Sequence, residues 1–192
     1  MQSFVFALLA ALAGSAHAQD FERASPPCDA QKQEQAQEGA ARGDAASIYL
    51  LARYLSTGRC MPGDGRKAIQ LYGQAAALGY PPAFYNSGML AAARRDFAAA
   101  ERYFMHGAEA GHRRSELQLG LLYSTAPPPV GNDSTALAWL SLTAARQEPI
   151  ATEAEDRASS LRARMSEEDL KTAAATTERL KASYLALPPF TP

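Results

Sequence analysis

The chain has 192 residues, with 20 acidic and 19 basic side chains and a formal net charge of −1. That balance, with both signs scattered, excludes the basic face that a nucleic-acid partner requires and leaves no like-charged binding tail. Alanine is abundant and strand-forming runs of Val, Ile and Thr are absent, which favours helices packed closely enough for their backbones to approach.

Residues 1–18 read as a signal peptide. The apolar run FVFALLAALAG is followed by Ala16-His17-Ala18, an A-x-A cleavage pattern before Gln19. The run is short for a membrane span, the alternative reading. No cysteine follows it directly, and Cys28 comes only after Ser25-Pro26-Pro27, so no lipid anchor is expected. The expected mature protein starts near Gln19, has a flexible segment over 19–28 and no integral membrane segment, and is exported to the bacterial periplasm or beyond.

The strings RKAIQLYGQAAALGY, AAAERYFMHGAEAGH and ALAWLSLTAARQ then repeat one amphipathic helix three times. Gly43, Gly79, Gly111 and Gln147 stand at equivalent positions, with Gly79 and Gly111 32 residues apart. A period of this size signals stacked supersecondary units. Fifteen residues before the last three anchors stand Asp64, Asp96 and Asn132, each suited to cap a helix start through its side-chain oxygen. Eight before the anchors come Gln35, Leu71, Tyr103 and Trp139, and seven before come Ala36, Tyr72, Phe104 and Leu140. Each glycine suits the left-handed position that ends a helix.

A second helix follows each glycine. Nine residues on stand Ala52, Gly88 and Gly120, all small. They share a stripe with Ser47, Ala83 and Ser115, with Leu51, Ser87 and Leu119, and with Leu55, Ala91 and Tyr123. Such a stripe must be buried. The polar stretch 29–42 reads as the first cap of the array, and helices over roughly 151–164 and 166–185 read as the last. Ser166 and Asp169 resemble a capping box, and Leu170, Ala173, Ala174, Leu180 and Tyr184 form a stripe that can cover the last repeat. The Pro-rich end, 188–192, is expected to be loose.

The pattern resembles the Sel-one-like repeat (SLR) family, α/α relatives of tetratricopeptide repeats. The matching strings are Asp64 with Lys67-Ala68, Gln118-Leu119-Gly120 with Tyr123, and Ala138-Trp139-Leu140, within about residues 44–147. The second copy departs in its very short turn, AAARRD, and the third in Ala126-Pro127-Pro128-Pro129; a generic array of helical hairpins is the plainer alternative. The resemblance implies an all-α solenoid, a right-handed superhelix of antiparallel hairpins. The expected units are a half-repeat 29–43, repeats 44–79, 80–111 and 112–147, and capping helices over 148–187.

If 29–42 and 45–57 form a hairpin turning at Gly43-Asp44, Cys28 and Cys60 lie opposite each other at its open end. In an oxidising compartment the expectation is a Cys28–Cys60 disulfide, worth roughly 3 kcal/mol by loop closure; a pair of free thiols is the rival.

The sequence carries no recognisable catalytic constellation. His106 and His112 flank a glycine turn without ligands at metal-binding spacing, and His17 leaves with the signal peptide. No Gly-rich phosphate loop, G-x-S-x-G or H-E-x-x-H is present. Carboxylate clusters such as Glu153 with Glu155-Asp156, and Glu167-Glu168, read as solvated helix faces. No catalytic residue, metal or cofactor is therefore expected.

By the resemblance, the helices that follow the turn glycines line a concave groove. The face opposite their buried stripe carries Tyr49, Arg53, Tyr85, Met89, Arg114, Leu117 and Leu121. Tyr, Met and Arg dominate interface hot spots, so the groove suits a protein or peptide. Leu117 and Leu121 can instead pack beneath the C-terminal helices. The family implies a non-enzymatic scaffold. A cell-wall or β-lactam-type activity, as in some secreted cysteine-rich relatives, is the alternative, and permanent docking to an envelope machine or dimerisation through the third copy would look the same from sequence.

Overall fold

A computed structural model describes residues 29–146 and 148–187. The expected signal peptide, the 19–28 segment, Cys28, Gln147 and the 188–192 tail lie outside the described residues. In chain order the helices are α1 (Ala30–Ala41), α2 (Ala45–Thr57), α3 (Gly65–Ala77), α4 (Pro81–Ala93), α5 (Phe97–Glu109), α6 (Arg113–Thr125), α7 (Asp133–Ala144), α8 (Ile150–Arg162) and α9 (Glu167–Leu180). A wider π-type turn, Lys181–Leu185, ends the described chain where the sequence suggested continuing α-helix. No strand occurs among the described residues.

Local chemistry sets the boundaries. Asp64, Asp96 and Asn132 accept hydrogen bonds from the backbone N–H groups of Lys67, Ala99 and Thr135 at 3.0, 3.0 and 2.8 Å. Asp44 caps α2 in the same way, and Ser166 caps α9 through the Asp169 N–H. Gly43, Gly79 and Gly111 take φ of +82°, +81° and +76°, the left-handed turn that reverses the chain between successive helices. In the short second turn Arg95 is forced to φ +63°.

From α1 to α8 each helix packs on its neighbours in sequence, α9 packs back on α7, and α4 and α6 also touch directly. The bulky residue seven before each anchor is buried in every copy that has one: Tyr72 at 3% exposure, Phe104 at 1% and Leu140 at 1%. Two of the small residues nine after the glycines make room for them. A Cβ on Gly88 would meet the Phe104 ring at 2.5 Å, and one on Gly120 would meet Leu140 at 2.7 Å. Ala52 and Tyr72 share a core cluster in the first hairpin. At the first cap Gln35 is exposed, as its polarity requires, whereas Trp139 in the last repeat is sealed by the chain end.

The C-terminal cover forms around α7, which packs against both α8 and α9. Ala154, Ala158, Leu161 and Ala173 join Leu117, Leu137 and Leu140 in one core cluster. Leu180 and Tyr184 pack on the neighbouring cluster, with the Tyr184 ring 5.1 Å from Trp139 and edge-on. Ala174, part of the expected stripe, is exposed. Beneath this cover lies a buried ion cluster. Glu116 is fully buried and accepts from Arg113 at 3.0 Å and from Arg146 at 2.7 and 3.2 Å. Arg146 also donates to the carbonyls of Tyr184 and Leu185, each at 2.8 Å, and Arg113 donates to that of Leu187. The guanidiniums thereby satisfy carbonyls left over at the end of the last helix.

Candidate functional site: the inner face of α2, α4 and α6

Offsets of four residues place Tyr49 and Arg53 on one face of α2, and Tyr85 and Met89 on one face of α4. Arg114 lies in the first turn of α6. The structure brings these side chains together. Tyr49 packs its ring 5.1 Å from Tyr80 and 5.8 Å from Tyr72, and the Arg53 guanidinium lies over it at 5.9 Å. Tyr85 lies 5.4 Å from the His112 ring and 6.3 Å from Phe104, and bonds to Arg114. Met89 is 37% exposed, a large apolar side chain open to solvent, and Arg114 is exposed as well.

Electrostatics tie the three helices into one surface. Burial pushes the Tyr49 hydroxyl above its ordinary pKa, and Arg53, the Asn86 amide and Arg114 partly offset that rise. Burial raises Tyr85 as well, with Arg114 opposing it and Tyr49 and Glu153 reinforcing it. Tyr72 is pushed up to about 12, chiefly by burial, although Ser56 shares a 3.1 Å hydrogen bond with it. His112 is pulled down to about 4 by burial and by Arg114, and its Nδ1 pairs with Ser115 Oγ at 2.9 Å. At neutral pH the face therefore carries protonated phenols, a neutral imidazole and two permanent cations: a surface that donates hydrogen bonds and stacks.

In the third copy Leu117 and Leu121 follow the other of the two readings and pack beneath the C-terminal helices instead of extending the surface. Leu117 is 3% exposed and belongs to the core with Leu137, Leu140 and the alanines of α8. Leu121 is half-buried against the same cluster. The reason is α8, which packs on α6 and covers the stripe that the first two repeats leave open. The accessible stripe thus runs over α2, α4 and the start of α6, and the charge of Glu153 on α8, read from sequence as plain solvated surface, acts on Tyr85.

Sequence reasoning also passed over Asn86. It follows Tyr85 in α4, is 8% exposed, and lies against the Tyr49 hydroxyl. An asparagine in the middle of a helix, where its propensity is poor, was the available signal. Among the described residues no group of His, Cys, Asp and Glu could hold a metal ion, and no helix is long and apolar enough to cross a membrane. Cys60 is not a free thiol.

No protein-family model and no curated protein matches this chain by sequence. Solved structures do. A Sel1 repeat protein from Oxalobacter formigenes is similar over 77% of this chain and 63% of its own, with 19% identity and a TM-score of 0.57. The protein c5321, described as a protective antigen of uropathogenic Escherichia coli with an SLR fold, matches over 79% and 41%, with 17% identity and a TM-score of 0.42. The immunity protein Pa5087 of Pseudomonas aeruginosa matches over 88% and 93%, with 17% identity and a TM-score of 0.34. The chain thus spans 63% and 41% of the lengths of the two repeat proteins. With its recurring caps, turn glycines and buried row of bulky side chains, this chain has the all-α repeat fold of Sel1-like repeat proteins.

Proposed function

We propose that this chain is an exported, non-enzymatic repeat scaffold that binds a protein or peptide segment along the concave groove formed by the inner face of α2, α4 and α6. One observation carries the reading. The fold covers the equivalent stripe of the third repeat with α8 but leaves Tyr49, Arg53, Tyr85, Met89 and Arg114 partly or wholly accessible. Their residue types are those that supply most binding energy at protein interfaces. The titratable groups of the face suit binding better than catalysis: its phenols stay protonated and its imidazole is neutral and engaged with Ser115. Export rests on the apolar run and A-x-A pattern of residues 1–18. In that compartment a Cys28–Cys60 bridge would clamp the first cap, and the lack of a free thiol at Cys60 supports it.

The test is capture from a periplasmic extract by the immobilised mature chain, compared with a Met89→Glu/Arg114→Glu variant. Both side chains are exposed, so the variant should fold normally by circular dichroism. Partners recovered by the wild type and lost by the variant are expected. Equal recovery would remove the groove from the account.

A further inference from the structure

The last described residues cross from one layer of the array to the other. Tyr184 lies on the outer side, its ring 5.1 Å from that of Trp139 in α7. The carbonyl of Leu185 accepts from Arg146, just past the end of α7, at 2.8 Å. The carbonyl of Leu187 accepts from Arg113, the first residue of α6. Within three residues the chain has passed from an outer helix to the start of an inner one. Arg113 and Arg146 are both buried, so this path is fixed from beneath. Behind it the outer side is filled by Leu180 and Tyr184. From that point follow Pro188-Pro189-Phe190-Thr191-Pro192, which lie outside the described residues.

The inner face begins where this path leads. Arg114 is the next residue of α6 and is exposed. His112, the residue before Arg113, sets its ring 5.4 Å from that of Tyr85, and both are half-buried. Further along the face Tyr49 and Tyr80 pair at 5.1 Å, also half-buried, and Met89 is exposed. A row of partly open aromatic rings is the kind of surface that takes proline-rich segments. Their extended backbone makes no hydrogen bonds of its own and lays its rings on aromatic side chains. Pro188 and Pro189 bring no N–H that docking would leave unsatisfied. Phe190 brings a ring suited to pair with another. At about 3.1 Å per residue a proline-rich stretch carries Phe190 about 9 Å beyond Leu187. That matches the roughly 8–10 Å between the axes of packed neighbours such as α6 and α4. So short a tether keeps the local concentration on the order of millimolar, and a weak contact then suffices.

We propose that residues 188–192 dock on the α6 end of the inner face, with Phe190 against Tyr85 and His112. The array thus carries its own proline-rich occupant at the site where a partner enters. This rests on the reading of the inner face as the binding surface and adds the segment that competes for it.

The test places a photo-crosslinking amino acid at position 190 of the full chain and maps its attachment points after irradiation by mass spectrometry. Attachments are expected within 80–89 and 112–117 of the same chain, with a yield independent of protein concentration. Tyr85→Leu keeps an apolar side chain against Phe104, and should lower that yield by about fivefold through loss of one aromatic pair. Attachments confined to other segments, a yield that rises with protein concentration, no attachment, or a yield indifferent to Tyr85→Leu would each overturn the proposal. The partner site is read separately by the Met89→Glu/Arg114→Glu capture. Capture lost in that variant with attachments from 190 elsewhere removes the tail and keeps the groove. Capture unchanged with attachments at 80–89 removes the partner site and keeps the tail.

Discussion

Phe104 occupies the place where Gly88 has no side chain: a Cβ on that glycine would lie 2.5 Å from the ring. The two helices of the second repeat approach each other through this one fit, and Leu140 against Gly120 repeats it in the third.

Gly88→Ala should therefore destabilise the fold, although alanine is the better helix former. Overpacking costs about 1–3 kcal/mol, more than the roughly 1 kcal/mol gained in propensity. Gly73, exposed in the interior of α3 with nothing within 4 Å of a new Cβ, is the control. Gly73→Ala should stabilise by about 1 kcal/mol. Urea denaturation of the two variants should give shifts of opposite sign.

Glu116 holds Arg113 and Arg146 together in a dry site, and both arginines anchor the chain end. Glu116→Gln leaves the buried Arg146 without its carboxylate and Arg113 with only the more exposed Glu148, 3.3 Å away, and should cost about 3 kcal/mol. Loss should begin at the cover, so hydrogen exchange in 181–187 should accelerate more than in α2.

His112 makes stability depend on pH. Burial pulls its pKa in the folded chain down to about 4, below the 6.5 of a free imidazole. Between these values the unfolded chain takes up a proton that the folded chain refuses. Stability is therefore intact above about pH 6.5 and falls as the pH drops toward 4, by at most about 1.4 kcal/mol per unit. His112→Asn should flatten that slope in denaturation curves taken from pH 7 to pH 4.5.

Arg95 sits at φ +63° in the tight turn before α5, with its guanidinium 5.8 Å from the Phe97 ring. A left-handed conformation costs a residue with a Cβ about 1–2 kcal/mol, and an exposed cation–π contact returns about 0.5–1 kcal/mol of that. Arg95→Gly should raise the thermal midpoint slightly; a drop would mean that the Phe97 contact governs the turn.

The parts legible in the sequence are those set by near neighbours. Asp64, Asp96 and Asn132 cap helices through atoms three residues away, and Gly43, Gly79 and Gly111 end them by their own φ. The bulky row of Tyr72, Phe104 and Leu140 was legible because it recurs in register. Leu117 was not, since its environment is decided by α8, a helix without a copy elsewhere in the array. The Glu116–Arg146 pair spans 30 residues, and single charges carry no sign of which will be buried. Asn86 escaped a search for apolar stripes because its meaning lies in the tyrosine of another helix.

The central claim is that the inner face, and not the outer helices, meets the partner. It is tested most directly by placing a photo-crosslinking amino acid at Met89 on α4 or, on the outer helices, at Gln70 of α3 or Arg102 of α5, all exposed. Irradiation in living cells should give a crosslinked partner from position 89 and none from 70 or 102. Crosslinks from 70 or 102 with none from 89 would contradict it.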